Sequence, residues 1–226
     1  MSIVFPSLYA IITGDFGGSS ATGWADRLSA AGVAIIQYRA KALSARELFE
    51  TARELARLSS SKSFRLIVND RADVAALSGA GGVHVGQDDI PVEVARRVCG
   101  ADCWVGVSTH SLEQVRAADS TSADYIAVGP IFSTSTKDNP DPVVGVDFVR
   151  RARELTRKPL VAIGGITAER AQEVYRAGAD SVAVASDLLR TTDVAGRVEE
   201  YSLAARRAIA ARGQSRATSG QIRKGG

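Results

Sequence analysis

The sequence has few cysteines, and it has no apolar run near the roughly 20 residues that a membrane-spanning helix needs. Cys99 and Cys103 are too few for a structural zinc site, and only two histidines could join them. We interpret both thiols as reduced and structural. The amino terminus also lacks the basic start and cleavage site of a signal peptide, so we expect a cytoplasmic protein.

Basic residues interleaved with aromatic ones, which mark nucleic-acid surfaces, are missing as well. The formal net charge is +3, but segment 212–226 alone contains four basic residues and no acidic one. The remainder is therefore close to neutral, and we expect no nucleic-acid partner. A polar, Gly/Ser-containing basic end is typical of disorder. We predict one domain, residues 1–211, followed by a short disordered basic tail, residues 212–226.

Short apolar runs that suit strands buried on both faces alternate with longer helical patterns along this domain. The predicted strands are Leu8–Thr13, Val33–Arg39, Arg65–Asn69, Gly82–Gly86, Trp104–Val107, Tyr125–Val128, Leu160–Ile163 and Ser181–Ala185. Eight such units in about 210 residues predict an α/β protein with a single (β/α)8 TIM barrel. An open, doubly wound sheet is the alternative.

Two helix starts are well marked. Ser44 and Glu47 form a capping-box pattern, and another helix opens at Thr167 and closes at Gly178. In a barrel, functional side chains gather just after the strands, at their carboxyl ends.

The second strand leads into Gln37, Arg39 and Lys41, which strand alternation places on one side. An amide and two cations at one point suit a diphosphate, although a solvated rim is the alternative. Asn69-Asp70 follow the third strand and Asp89 the fourth. Two carboxylates facing two cations suit Mg²⁺ that bridges a diphosphate, unless Asp89 simply caps the next helix.

The fifth strand ends near Ser108, a candidate donor to substrate, and His110, which we weigh as an acid/base or as a rim residue. His84, inside the fourth strand, is expected to pack in the barrel. The sixth strand leads into 129–137, a loop with hydroxyls, including Thr134 and Thr136, and Lys137. Hydroxyls and an ammonium group at a strand end can hold a phosphate.

The seventh and eighth strands end in small residues that let backbone N–H groups approach an anion. Loops at these two positions often form a phosphate cradle in barrels. The residues in question are Gly164, Gly165, Ala185 and Ser186. Together with the candidate diphosphate and Mg²⁺ residues after the second, third and fourth strands, they indicate two phosphorylated substrates or one that carries two phosphoryl groups.

In this order the motifs resemble those of the thiamine phosphate synthase family. They are Gln-Tyr-Arg-Ala-Lys, Asn-Asp, His-Val-Gly-Gln-Asp-Asp, Gly-Val-Ser-Thr-His, Gly-Pro-Ile-Phe-Ser-Thr-Ser-Thr-Lys and Ile-Gly-Gly-Ile. The resemblance runs from about Leu8 to Leu188. It implies a transferase of thiamine biosynthesis that joins hydroxymethylpyrimidine diphosphate to hydroxyethylthiazole phosphate, releases diphosphate and requires Mg²⁺.

The resemblance also implies roles for individual residues. The pyrimidine diphosphate would contact Gln37, Arg39, Lys41 and Asn69, and Mg²⁺ would bind Asp70 and Asp89. Ser108 and Lys137 would face the diphosphate, and Arg39, Lys41, Lys137 and Ser108 would act in catalysis. The thiazole phosphate would contact Thr134 and Thr136, with Gly165 and Ser186 from the later loops.

The chain departs from the family pattern where Ala40 replaces an acid, Tyr38 a frequent leucine and Ser133 a frequent proline. We expect effects on rate or affinity. A thiazole tautomerase-like isomerase, with proton transfer near His110, is one alternative function. A non-catalytic phosphate-ligand binder on the same barrel is another. The sequence leaves the oligomeric state open, with a homodimer among the options.

Overall fold

Eight parallel strands lie in sequence order around a closed barrel, and the last strand pairs with the first. The computed structural model describes residues 5–13, 19–134 and 141–222, with side chains as far as residue 211. The strands are β1 (Leu8–Thr13), β2 (Ile35–Arg39), β3 (Arg65–Asn69), β4 (Gly82–Val85), β5 (Trp104–Thr109), β6 (Tyr125–Val128), β7 (Leu160–Ile163) and β8 (Ser181–Val184). The predicted TIM barrel is confirmed, and the open-sheet alternative is wrong.

Within the described residues a helix follows every strand. The helices are α1 (Ala21–Ala30), α2 (Ala45–Lys62), α3 (Ala72–Ser78), α4 (Val92–Cys99), α5 (Leu112–Asp119), α6 (Gly145–Leu155), α7 (Ala168–Ala177), α8 (Ser186–Leu189) and α9 (Val194–Ile222). Both α8 and α9 follow the last strand. The long α9 packs against α7.

Some strand bounds differ from prediction, for local reasons. The N–H of Val33 donates to Leu28 O at the end of α1 (3.0 Å), which delays β2 until Ile35. In the other direction, β5 continues to Thr109, because Thr109 pairs with Val128 of β6. Its hydroxyl also donates to Ala127 O (2.9 Å).

The predicted helix starts hold. The Ser44 hydroxyl accepts from Glu47 N, and the Glu47 carboxylate accepts from Ser44 N, which completes the capping box. Helix α7 begins after Thr167 and ends before Gly178, as expected. Helix α4 begins after Pro91, so Asp89 is not its cap.

The buried side chains form two layers. The outer layer lies between strands and helices, and the inner layer fills the barrel with alternate strand residues. The inner layer consists of Tyr9, Ile11, Ile35, Ile67, Tyr125, Ala127, Val161 and Ala183. At the amino-terminal end, the Phe5 ring lies against Trp104 (5.4 Å between centroids) and Tyr125 (5.0 Å). Aromatic side chains thus fill the amino-terminal end of the barrel.

The chain ends in α9, whose backbone stays helical as far as Ile222. The disorder predicted for 212–226 stays a prediction. Residues 223–226 lie outside the described part, and the division at residue 211 stays a prediction. Across the described residues, no helix is both long enough and apolar enough to cross a membrane.

Candidate active site

A pocket of about 560 Å³ opens at the carboxyl ends of the strands. This volume lies within the range of small-molecule sites. The pocket is lined by all the predicted site residues that the structure describes: Gln37, Arg39, Lys41, Asn69, Asp70, Asp89, Ser108, Thr134, Gly164, Gly165, Ala185 and Ser186. Two further predicted residues, Thr136 and Lys137, lie outside the described residues.

Two carboxyl groups and a cation meet on one wall of this pocket. Lys41 Nζ lies 3.2 Å from Asp70 Oδ2. Burial raises the pKa of Asp70, and the adjoining Asp89 carboxyl raises it further, while Lys41 acts in the opposite direction. Two carboxylates this close repel each other when both are ionised, so a cation between them would relieve the repulsion.

The backbone holds Asp70 in an unusual conformation. Its φ of 62° lies in the left-handed region, which few residues other than glycine adopt. The Asp70 N–H donates to His84 O (2.7 Å), and the Arg71 N–H donates to Asn69 O (2.8 Å). In this conformation, at the end of β3, the carboxyl of Asp70 interacts with that of Asp89, which follows β4.

Asp89 is also held by the backbone. Its Oδ2 accepts a hydrogen bond from Gly86 N (2.7 Å), directly after β4. A Cβ at position 86 would come within 3.1 Å of the same oxygen, so the glycine lets the carboxylate approach closely. Its carboxylate therefore fixes the turn after β4 and faces Asp70, which leaves the metal-ligand hypothesis in place.

His84 is buried inside the barrel, as expected, but it also contacts a predicted site residue. Its Nδ1 lies 3.0 Å from the Tyr125 hydroxyl and its Nε2 lies 2.8 Å from Ser108 Oγ. Burial lowers the pKa of His84 to about 4. The ring is therefore neutral near pH 7.

The loop after β6 is attached to the loop after β7. Ile131 N donates to Ile163 O (2.9 Å), and Phe132 N donates to Gly164 O (3.0 Å). A Cβ at Gly164 would lie 2.5 Å from Pro130 Cβ, and one at Gly165 would overlap Ser133 O. Both glycines also have positive φ, 103° and 59°. Their small size therefore lets the loop that leads to Thr134 pack closely, in addition to any role toward an anion.

His110 connects the loop after β5 to the loop after β6 at the rim of the barrel. Its backbone N–H donates to Gln114 Oε1 (2.6 Å), and its ring Nδ1 contacts Gly129 O (2.6 Å). A carbonyl only accepts, so Nδ1 carries the proton. Nε2 faces the Asp141 carboxylate at 3.6 Å. His110 thus has a clear structural role, and it also lines the pocket.

Sequence reasoning missed several pocket residues, among them Tyr9 and Asp141. It also gave no role to Tyr125, whose hydroxyl contacts both Tyr9 and His84. A tyrosine within an otherwise aliphatic strand was the available signal. Asp141 comes close to His110 through a long loop, and no local pattern marks it.

The comparisons with known proteins agree with this geometry. The thiamine monophosphate synthase family model matches residues 8–188. The chain belongs to the thiamine monophosphate synthase family. A thiamine-phosphate synthase from Koribacter versatilis is 51% identical over 201 residues, which cover 87% of this chain and 94% of the relative. One from Chloroflexus aurantiacus is 47% identical over 163 residues, which cover 72% and 75%.

A solved structure of the same family has the same architecture. The thiamine phosphate pyrophosphorylase from Pyrococcus furiosus superposes with a TM-score of 0.79 at 32% identity. The match covers 89% of this chain and 96% of that one. The match of the thiamine monophosphate synthase family thus includes the whole barrel and every strand end that lines the pocket.

Proposed function

We propose that this chain is a thiamine-phosphate synthase. It joins hydroxymethylpyrimidine diphosphate to hydroxyethylthiazole phosphate and releases thiamine phosphate and diphosphate. The observation that carries the proposal is the pocket wall on which Asp70 and Asp89 face each other beside Lys41. Such a wall suits a substrate with a metal-bound diphosphate, and it occurs in a chain that belongs to this family.

The diphosphate half of the site uses the ends of β2, β3 and β5. Arg39 and Lys41 offset the negative charge, and the Ser108 hydroxyl donates a hydrogen bond. Gln37 is buried at the base of the pocket and is suited to hold the pyrimidine. Asn69, at the end of β3, adds a polar contact on the same side.

The acid pair fits Mg²⁺. In its absence the pKa of Asp70 is raised by burial and by Asp89. Among the described residues, no group of three or more metal-binding side chains occurs. Two carboxylates nevertheless suffice, because Mg²⁺ commonly uses one or two of them together with water and substrate phosphates. Bound there, the ion would neutralise charge on the diphosphate.

The acceptor half of the site, which would bind the thiazole phosphate, lies on the opposite side of the pocket opening. Thr134, together with Thr136 beyond the described residues, would hold the thiazole phosphate. Backbone groups of Gly164, Gly165, Ala185 and Ser186 would surround it. Lys137 would reach from this loop to the departing diphosphate. These assignments are proposals from the family resemblance and from the position of the described residues around one pocket.

The chemistry requires no protein nucleophile. The methylene–oxygen bond of the pyrimidine substrate breaks, and its electron pair leaves with the diphosphate. Arg39 and Lys41 stabilise that growing charge. The thiazole nitrogen then forms the new bond to the electron-poor methylene carbon. The chain's own residues thus bind and orient the two substrates and neutralise the charge of the diphosphate.

One observation favours a second candidate, a thiazole tautomerase-like isomerase. His110 lines the pocket, and its Nε2 lies 3.6 Å from Asp141 Oδ2, an arrangement able to transfer a proton. Such an enzyme needs neither a diphosphate nor a metal. The two functions therefore separate by their dependence on Mg²⁺ and on Asp70.

The test incubates the protein with both substrates and Mg²⁺ and measures thiamine phosphate. We expect product that disappears on chelation, in Asp70→Ala and in Lys137→Ala. The matched control is Asp88→Asn, which changes an exposed neighbouring carboxylate and should keep most of the activity. Product formation that survives chelation, or a wild-type rate in Asp70→Ala, would overturn the site assignment. Isomerisation lost in His110→Ala without any joining reaction would favour the second candidate.

A further inference from the structure

A line of polar side chains, all buried except the half-buried Ser108, crosses the barrel interior at the base of the pocket. Gln37 Nε2 donates to the Tyr9 hydroxyl (2.8 Å), and that hydroxyl lies 3.0 Å from the Tyr125 hydroxyl. Tyr125 in turn contacts His84 Nδ1 (3.0 Å), and His84 Nε2 contacts Ser108 Oγ (2.8 Å). We call these five residues the relay. It joins two predicted substrate contacts, Gln37 and Ser108.

We assign a single direction to the hydrogen bonds of the relay, starting from the Gln37 amide. The Gln37 amide donates, so the Tyr9 oxygen accepts and its own proton goes to the Tyr125 oxygen. The one proton of Tyr125 then goes to His84 Nδ1. A neutral ring that accepts at Nδ1 carries its proton at Nε2, which donates to Ser108 Oγ.

The barrel is built around this line. Gly106 of β5 faces Tyr125 of β6, and a Cβ there would overlap the Tyr125 ring. Tyr9 and Tyr125 are almost fully buried. Among the described residues, the only buried side-chain nitrogen or oxygen atoms without a hydrogen-bond partner are Thr13 Oγ1 and Ser181 Oγ. Neither belongs to the relay. A fully satisfied polar network is costly to rearrange.

We propose that His84 is a positioning residue that keeps Ser108 a hydrogen-bond donor to the substrate. Because Nε2–H of His84 occupies an acceptor site of Ser108 Oγ, the Ser108 proton points away from His84 and toward the pocket. There it meets the diphosphate, which has only acceptor oxygens. This inference rests on the proposed function, since it takes the diphosphate as the group that Ser108 faces.

The first experiment reads the tautomers directly, without activity. The chain has two histidines, so a ¹⁵N spectrum of histidine-labelled protein is simple, and His110→Gln assigns it. We expect His84 to carry its proton on Nε2 and His110 on Nδ1. In Tyr125→Phe, the His84 proton should no longer be confined to Nε2. In Tyr9→Phe, a matched loss of a buried hydroxyl, it should stay on Nε2. An Nδ1–H tautomer of His84 in the parent would overturn the proposal.

The second experiment tests whether His84 acts through Ser108. His84→Asn should lower kcat roughly ten- to hundredfold, with little change in KM for the thiazole phosphate. His84→Gln, which can place an amide N–H near the lost Nε2–H, should recover part of that loss. In a Ser108→Ala background, His84→Asn should have no further effect on kcat. Independent, multiplying losses would show a merely structural role and contradict the proposal.

The two experiments also separate this inference from the proposed function. If the parent forms no thiamine phosphate, the function fails, and the spectrum alone decides whether the relay has the stated direction. If the parent is active but the losses multiply, the function stands and the role of His84 fails. Should His84→Asn not fold, the comparison of Tyr125→Phe with Tyr9→Phe still decides, because both keep the ring.

Discussion

Gly106 faces the ring of Tyr125 on the neighbouring strand, and no side chain fits between them. The glycine is thus part of how the barrel holds an aromatic ring at its centre. We predict that Gly106→Ala lowers the free energy of unfolding by about 1–3 kcal/mol, as expected for an overpacked core. Urea unfolding measures this loss. Tyr125→Leu added to Gly106→Ala should recover part of it, and an unchanged unfolding midpoint in Gly106→Ala would contradict the packing argument.

Asp70 should cost stability when no metal is bound. Its folded pKa is raised by burial and by Asp89, so the folded state holds its proton more tightly than the unfolded state. Stability then falls as pH rises through the unfolded pKa, and the cost persists at pH 7. Asp70→Asn removes the repulsion and keeps a residue type that tolerates positive φ.

We therefore expect Asp70→Asn to unfold roughly 1–3 °C higher in metal-free buffer, a small effect because the site is partly open to solvent. Its synthase activity should fall at least roughly 100-fold. Calorimetry with chelator and the product assay measure the two effects. A lower unfolding temperature with chelator would show that the carboxyl pair does not repel.

His84 makes the fold sensitive to acid. In the unfolded chain a histidine takes up a proton near pH 6.5, whereas burial lowers the folded pKa of His84 to about 4. Stability is therefore lost as pH falls across that interval, by up to roughly 3 kcal/mol, and His84 contributes no further loss below it. Urea unfolding at several pH values should show a shallower dependence in His84→Gln than in the parent. Equal slopes would disprove this origin of the acid sensitivity.

Gly165→Ala should damage the acceptor half of the site. It combines positive φ with overlap between the new Cβ and Ser133 O, one residue before Thr134. We expect KM for the thiazole phosphate to rise about tenfold or more, since a small displacement of a binding loop is costly. The matched control is Gly79→Ala, which has a similar φ of 78° but open space around the Cβ. It should cost stability alone, and an equal rise of KM there would refute the loop argument.

The sequence predicted the barrel well because its signals are local. Apolar runs such as Tyr125–Val128 and the capping box at Ser44 act within one element, and both are confirmed. Strand alternation likewise predicted that Gln37, Arg39 and Lys41 would share a side, and all three line the pocket. The ends of strands were harder, as Val33 shows, because competing hydrogen bonds decide them.

The relay and the left-handed Asp70 could not be predicted in the same way. Tyr9 and Tyr125 are more than a hundred residues apart in the sequence, and only closure of the barrel brings their hydroxyls to 3.0 Å. The glycines after β7 had an evident reason, room for an anion, but their contact with Pro130 and Ser133 depends on how two loops meet. Contacts of this kind depend on how strands that are distant in the sequence pair with one another, which no local pattern shows.

The ring of Phe5 keeps water away from the relay from below, since it lies against Tyr9, Tyr125 and Trp104. A chain shortened past residue 5 would admit solvent beneath the two tyrosines. A water molecule both donates and accepts, so it could reverse any hydrogen bond that it joined. An amino-terminal truncation far from the pocket is thus expected to slow the reaction by loosening the orientation of the Ser108 proton.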